Sequence, residues 1–191
     1  MNDMTVEEIL QNVNQRQDSF MMMINYLCLI DNPLIVETGC VRSLHDWGAG
    51  YSTVLFDAFI NEHGSGEFHS VDITEKNVEF ARTLVSDKTK VHCADSVDFL
   101  EYHARMWADQ NRRIDLLYLD SYDYNPGEEH ESSLHHIFEL LAAQPAVKTG
   151  TMIAVDDNLG DRGKGLYVKQ YFEKLDIPLE HNGYQWIWIM P

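Results

Sequence analysis

Leu34-Ile-Val-Glu-Thr-Gly39 is the stretch on which the reading of this chain turns. Branched apolar residues followed by an acid and a glycine describe a buried strand that ends in a tight turn, where the backbone can approach a ligand closely. After a short loop, Gly48-Ala-Gly50-Tyr-Ser52-Thr53 opens a helix. Working outward, β-rich runs at 34–38, 67–72, 90–94, 114–120 and 151–156 alternate with amphipathic stretches at 52–61, 75–86, 97–108 and 132–143. Val78, Ala81, Leu84 and Val85 carry the helical spacing of the second of these. A further helix is expected at 164–175, then strands at 178–181 and 184–190 joined at the turn pair Asn182-Gly183.

Parallel strands joined by right-handed crossovers put helices on both faces of the sheet and leave a crevice beyond the strand carboxyl ends. The expected fold is therefore α/β: a Rossmann-like three-layer αβα sandwich with a seven-stranded, mostly parallel sheet and a C-terminal antiparallel hairpin. Before it, Thr5 and Glu8 have capping-box spacing, Ile9, Leu10 and Val13 begin an apolar stripe that resumes through 20–29, and Asn32-Pro33 stops it. Residues 1–33 thus read as an N-terminal helical segment and 34–191 as the main domain. Met21, Met22 and Met23 suit a lid over the cleft or packing between the subunits of a homodimer.

Composition narrows the function. The 191 residues are 45% hydrophobic and 24% charged, as in an ordinary folded protein. Fourteen Lys and Arg against 31 Asp and Glu give a formal charge of −17, which repels phosphate backbones and anionic membranes, so neither is an expected partner. The same field mildly favours a neutral or cationic ligand, although acidity also serves solubility. Cys28, Cys40 and Cys93 form no C-x-x-C pair, which argues against a disulfide framework or thiolate zinc site and for a reducing cytoplasm. The longest apolar run, Phe20 to Ile30, is broken by Asn25 and falls short of the roughly 20 residues that cross a bilayer. Asp3, Glu7 and Glu8 do not suit a signal peptide.

Glu37, Asp72 and Asp95 place an acid at the end of three successive strands. Asp72 lies where a carboxylate can accept two ribose hydroxyl hydrogen bonds, and Asp95-Ser96 lies where an adenine edge would fall, unless it merely caps the next helix. This pattern resembles the class I S-adenosylmethionine-dependent methyltransferases over roughly residues 34–191. The resemblance implies that Gly39 and Gly50 pass close to the methionine part of the donor, that Asp72 holds its ribose, and that Asp95 and Ser96 border its adenine, with Glu37, Ser52 and Asp120 also in the donor site. Cys40 to Trp47 intervene between the glycines, unlike the usual compact motif; Arg42 can pair with the donor carboxylate and Trp47 can wall the pocket. A dinucleotide oxidoreductase is the competing reading, but its fingerprint wants a small residue where Thr53 stands.

Asp120, in Leu-Tyr-Leu-Asp120-Ser-Tyr-Asp123, and Asp156-Asp157-Asn158 end the fourth and fifth strands, so three carboxylates converge. Crowded carboxylates call for a cation, and hard oxygen ligands suit Mg²⁺ or Ca²⁺, unless the acids only cap loops. The arrangement is similar to two cation-dependent branches of the family, the catechol and caffeoyl-coenzyme A O-methyltransferases and the macrolide-sugar and cephalosporin-type enzymes, which implies Asp120, Asp156 and Asp157 as metal ligands. Those branches carry a Lys or His where this chain has Asp123, so the candidate catalytic set is Asp120, Asp123 and His136, with His135 as the alternative. Adjacent helical residues point about 100° apart, so only one of the two histidines is expected to face the cleft. Gly163-Lys-Gly165 lacks phosphate-loop spacing and reads as a flexible rim. The expected activity is metal-assisted O-methylation of a small hydroxylated acceptor; a catalytically silent binding module on the same fold is the alternative.

Overall fold

The computed structural model describes residues 4–49, 51–125, 127 and 129–191. Its strands are β1 (Leu34–Thr38), β2 (Glu67–Asp72), β3 (Thr89–Cys93), β4 (Leu116–Leu119), β5 (Met152–Val155), β6 (Asn158–Leu159), β7 (Arg162–Gly163), β8 (His181–Asn182) and β9 (Trp186–Ile189). Its α-helices are α1 (Val6–Leu10), α2 (Gln17–Leu27), α3 (Ser52–His63), α4 (Glu75–Leu84), α5 (Ser96–Asp109), α6 (Glu129–Ala143) and α7 (Leu166–Lys174). Seven strands form one sheet in the order β3-β2-β1-β4-β5-β9-β8, parallel from β3 to β5 and antiparallel at β9 and β8. The strand order reverses at β1, which pairs with both β2 and β4, and that switch point opens the crevice.

Alternating side chains divide the core between the two faces of the sheet. Ile35, Phe68, Tyr118, Met152 and Ile187 pack toward α1 to α4, whereas Leu34, Val36, Leu117, Ile153 and Trp188 pack toward α5 to α7. Phe56 of α3 is a hub of the first face, its ring centroid lying 6.0 Å from Phe20, 5.7 Å from Phe68 and 5.5 Å from Tyr118.

The N-terminal segment belongs to that first face. The capping box at Thr5 and Glu8 starts α1, Val6 N donates to Glu62 Oε1 at 2.8 Å, and the Tyr26 hydroxyl donates to the Gly150 carbonyl. Ile9, Val13, Phe20, Met23 and Leu27 are fully buried with the sheet, while Met21 stays exposed. The segment therefore packs on its own sheet, with Arg16 reaching the strand ends.

Two local expectations shift. β4 and β5 are shorter than the apolar runs suggest, because Asp115 turns its side chain to accept from Leu34 N at 2.8 Å and Thr151 Oγ1 donates to the Ile114 carbonyl at 2.6 Å. The terminal hairpin does not close tightly at Asn182-Gly183: β8 is two residues long, and the chain between the strands extends to Gln185. Pro178 has no N–H to give a ladder. Gln185 is drawn fully inside, accepting from Ser19 Oγ at 2.5 Å and donating to the Tyr118 hydroxyl oxygen at 2.6 Å.

Candidate active site

A cavity of about 430 Å³ opens at the carboxyl ends of β1 to β4, and Gly39, Asp72, Asp95, Ser96 and Asp120 all line it. Gly39 makes the close strand ends possible. Its φ is +82°, and a Cβ there would sit 2.5 Å from the Asp120 carbonyl oxygen, so a larger residue would push β1 and β4 apart. Gly50 lies outside the described residues.

Asp72 is held by its neighbours while its carboxylate borders the cavity. Its oxygens accept from Thr74 N at 2.7 Å, Cys40 N at 3.3 Å and Asn77 Nδ2 at 3.3 Å. Asp95 caps α5 by accepting from Val97 N at 2.9 Å and Asp98 N at 3.2 Å, and it borders the cavity as well. Ser96 Oγ lies 2.9 Å from His135 Nε2.

Glu37 works from beneath. It is fully buried and does not line the cavity; its Oε2 accepts from Thr53 Oγ1 at 2.7 Å and Ser70 Oγ at 2.5 Å, while Thr53 Oγ1 in turn accepts from Val41 N at 2.9 Å. Burial pushes its carboxyl up to about 7, against hydrogen bonds from Ser52, Ser70 and Thr53 that stabilise the anion. This relay joins the loop after β1, the start of α3 and β2. It also explains Thr53 where a dinucleotide fold would want a small residue.

Arg42 and Asp123 both line the cavity and are bonded to each other, Arg42 Nη1 donating to the two carboxylate oxygens at 3.1 and 3.0 Å. Trp47 does not reach the cavity; it packs against Tyr51 with ring centroids 4.6 Å apart, and Tyr51 forms the wall. Of the paired histidines, His135 faces the cavity. His136 is fully buried, with Nδ1 2.7 Å from the Ser132 carbonyl oxygen, and burial pulls its pKa down to about 4. The helix rotation thus selects His135, not His136, and ties it to buried Glu139 at 3.3 Å. Although burial opposes it, Glu139 is held down to about 2 by His135, His136 and Ser121.

Asp120, Asp156 and Asp157 do converge, but protein cations meet them. Arg16 Nε donates to both oxygens of Asp156 at 3.0 and 2.8 Å, its Nη2 to Asp157 Oδ1 at 3.2 Å, and its Nη1 to the Gly48 carbonyl at 2.9 Å. The guanidinium carbon also lies 4.5 Å from the centre of the Tyr184 ring. Lys164 Nζ lies 2.5 Å from Asp120 Oδ1 and 3.0 Å from Asp157 Oδ2. Arg16 and Lys164 are 2% and 1% exposed, so both cations are interior, and the Arg16–Asp156 pair is wholly so. Burial alone would weaken either cation's hold on its proton, yet the surrounding carboxylates outweigh it and raise both pKa values. Tyr118 Oη donates to Asp156 Oδ2 at 2.9 Å and Tyr184 Oη to Asp157 Oδ1 at 2.5 Å.

These residues do not fit a divalent ion. Asp157 N donates to Asp156 Oδ1 at 2.8 Å, so every oxygen of Asp156 and Asp157 already accepts a hydrogen bond or faces a basic group. Among the described residues no group of three or more His, Cys, Asp or Glu side chains is arranged to hold a metal ion.

Arg16 and Lys164 are the members of the cluster that motif spacing does not reveal. The signal for Arg16 was present: it stands on one helical row with Ile9, Val13, Phe20 and Met23, where a charge has to find a buried partner. Lys164 stands in the segment expected to be a flexible rim. Gly163, at φ +133° with a hypothetical Cβ only 2.4 Å from the Asp157 carbonyl oxygen, folds that segment inward instead.

A switch-point cavity with Gly39 at its throat and Asp72, Asp95 and Asp120 along its rim stands where α/β folds of this kind bind their ligands. A family model described as a methyltransferase domain matches residues 46–158, more than half of the chain, so the protein belongs to that family and is an S-adenosylmethionine-dependent methyltransferase. No curated protein matches the sequence. Solved structures share the fold. CalS11, a calicheamicin methyltransferase, superposes with a TM-score of 0.62 at 13% identity, covering 93% of this chain and 80% of CalS11. CalS11 is also described as a TDP-rhamnose 3'-O-methyltransferase. MycE, a methyltransferase from the mycinamycin biosynthetic pathway in complex with Mg and SAH, gives 0.64 at 14% identity over 91% of this chain. The chain spans about half of MycE, 49% of its length.

Proposed function

We propose that this methyltransferase acts on a hydroxyl oxygen of a small molecule. The observation that carries the reading is the division of the cavity: Asp72, Asp95 and Ser96 stand at one end and Asp120 at the other, within a volume of about 430 Å³ that suits small ligands. Asp72 would hold the donor ribose, Asp95 and Ser96 its adenine, the backbone from Gly39 to Val41 its methionine part, and Arg42 its carboxylate. The bound donor supplies an electrophilic methyl group on a sulfonium.

Asp120 is the carboxylate placed to receive the acceptor hydroxyl. Lys164 engages its Oδ1, and the residue lines the cavity. Burial, together with Asp156 and Asp157, pushes its carboxyl well above the ordinary range, since three acids share two cations. A carboxylate of that kind accepts a hydroxyl proton better than an exposed aspartate. Orientation of acceptor against donor contributes most of the rate, on the order of 7 to 11 kcal/mol in well-aligned systems. Asp123, tied to Arg42, lines the same cavity, and no divalent ion enters this reading because Arg16 and Lys164 engage its would-be ligands.

The fold shared with CalS11 supports sugar-like or other polyhydroxylated acceptors. The charge of −17 supports a small neutral acceptor over nucleic acid or a membrane surface, and three unpaired cysteines support the cytoplasm. Among the described residues no helix is long and apolar enough to cross a membrane. A homodimer through the outer face of α2, where Met21 is exposed, completes the proposal and is read by sedimentation.

The test is methyl transfer from labelled S-adenosylmethionine to panels of nucleotide sugars and catechols. Turnover on a hydroxylated acceptor is expected, with Asp120→Asn losing kcat while still binding S-adenosylhomocysteine. Unchanged kcat in Asp120→Asn would remove Asp120 from the chemistry.

A further inference from the structure

We infer that Arg16 and Lys164 form a built-in, two-charge counterion that closes the carboxylates at the ends of β4 and β5 to divalent cations and makes this methyltransferase cation-independent. The two side chains carry the same formal charge as one divalent ion and lie where such an ion would have to bind. Arg16 spans Asp156 and Asp157, and Lys164 spans Asp157 and Asp120. Together with Tyr118, Tyr184 and the Asp157 amide they saturate Asp156 and Asp157, whereas Mg²⁺ or Ca²⁺ requires about six oxygen ligands.

Charge balance points the same way. Two cations already offset two of the three carboxylates, so adding a divalent ion would leave the cluster net positive whether or not Asp120 carries its proton. Entry would also require expelling a guanidinium packed on Tyr184 and bonded to the Gly48 carbonyl. Both cations arrive by dedicated routes. The buried row of the N-terminal segment delivers Arg16, and the Gly163 turn delivers Lys164, which removes the coordination site while keeping the acidic triad. The inference rests on family membership and the cluster, not on the identity of the acceptor.

The test is Mn²⁺ titration of the chelator-treated wild-type protein, read by water-proton relaxation, with thermal melting in Mg²⁺ alongside. No saturable site at the cluster and an unmoved Tm are expected. Mn²⁺ binding that Asp157→Asn leaves unaltered resides on the acidic surface and is equally consistent. Lys164→Met removes the charge while keeping the bulk, and it should gain a saturable Mn²⁺ site that a further Asp157→Asn abolishes. A wild-type site lost in Asp157→Asn would overturn the inference, as would a folded Lys164→Met that gains none. If circular dichroism shows that variant unfolded, Arg16→Met is read in the same way. Calorimetry with S-adenosylhomocysteine, in chelator and in Mg²⁺, separates the two proposals: equal affinity in both is expected here, whereas no binding in either counts against the donor site instead.

Discussion

The two halves of the strand-end crevice solve the problem of crowded acids in opposite ways. On the side proposed for the donor, Asp72 and Asp95 are held by backbone amides of their own loops and border an open cavity. On the side proposed for the acceptor, Asp156 is buried, Asp157 is half-buried, and both are paired with side chains from remote segments, Arg16 lying 140 residues before Asp156. Amide-held carboxylates keep their outer lone pairs for a ligand, whereas cation-paired carboxylates become part of the framework. Only Asp120, at the seam, belongs to both halves.

The largest expected effect comes from breaking the framework half. Arg16→Ala leaves Asp156 charged and unpaired in the interior, and urea unfolding should show a loss of about 3–5 kcal/mol. A loss below about 1 kcal/mol would mean that the pair behaves like a surface one.

The floor of the donor half has a pH signature. Glu37 has a folded pKa raised to about 7 from its ordinary 4.5, so its contribution is fully present below 4.5 and is lost as pH rises through 7. Glu37→Gln should therefore gain on the wild type by something on the order of 3 kcal/mol between pH 4.5 and 7.5. His69 and His92, both pulled down to about 4 by burial, titrate with the opposite sign and cancel in that difference. Parallel stability curves for the two proteins would sink this account of Glu37.

Asp72→Ala removes charge-assisted hydrogen bonds from the donor half, about 1.5–3 kcal/mol in S-adenosylhomocysteine affinity, while leaving the framework ion pairs intact. Calorimetry and urea midpoints measured together separate the two effects. The smallest effect belongs to Arg42→Ala: its pair with Asp123 is about half exposed, 47% and 57%, so stability should change by less than about 1 kcal/mol.

The same division governs what could be read from the amino-acid order. β1 and β2 fall where the apolar runs place them, and Gly39, Asp72 and Asp95 border the cavity close to their own strands, so local pattern was enough to place them. Glu37 was legible as a strand-end acid but not as a brace, because its partners Ser70 and Thr53 meet it only after the sheet forms. The choice between His135 and His136 needed the helix rotation, and the hairpin needed the pull of Ser19 and Tyr118 on Gln185. The acidic triad was visible as composition, yet its meaning depended on which charges the fold delivers to it. An aspartate pair looks the same in sequence beside a metal as beside an arginine.

A crystal structure with S-adenosylhomocysteine tests the central claim most directly. The account predicts the nucleoside in the strand-end cavity, with the Asp72 carboxylate within hydrogen-bond reach of both ribose hydroxyls and the Arg16 and Lys164 pairs unbroken. A nucleoside bound elsewhere, with Asp72 touching only its own loop, would contradict it.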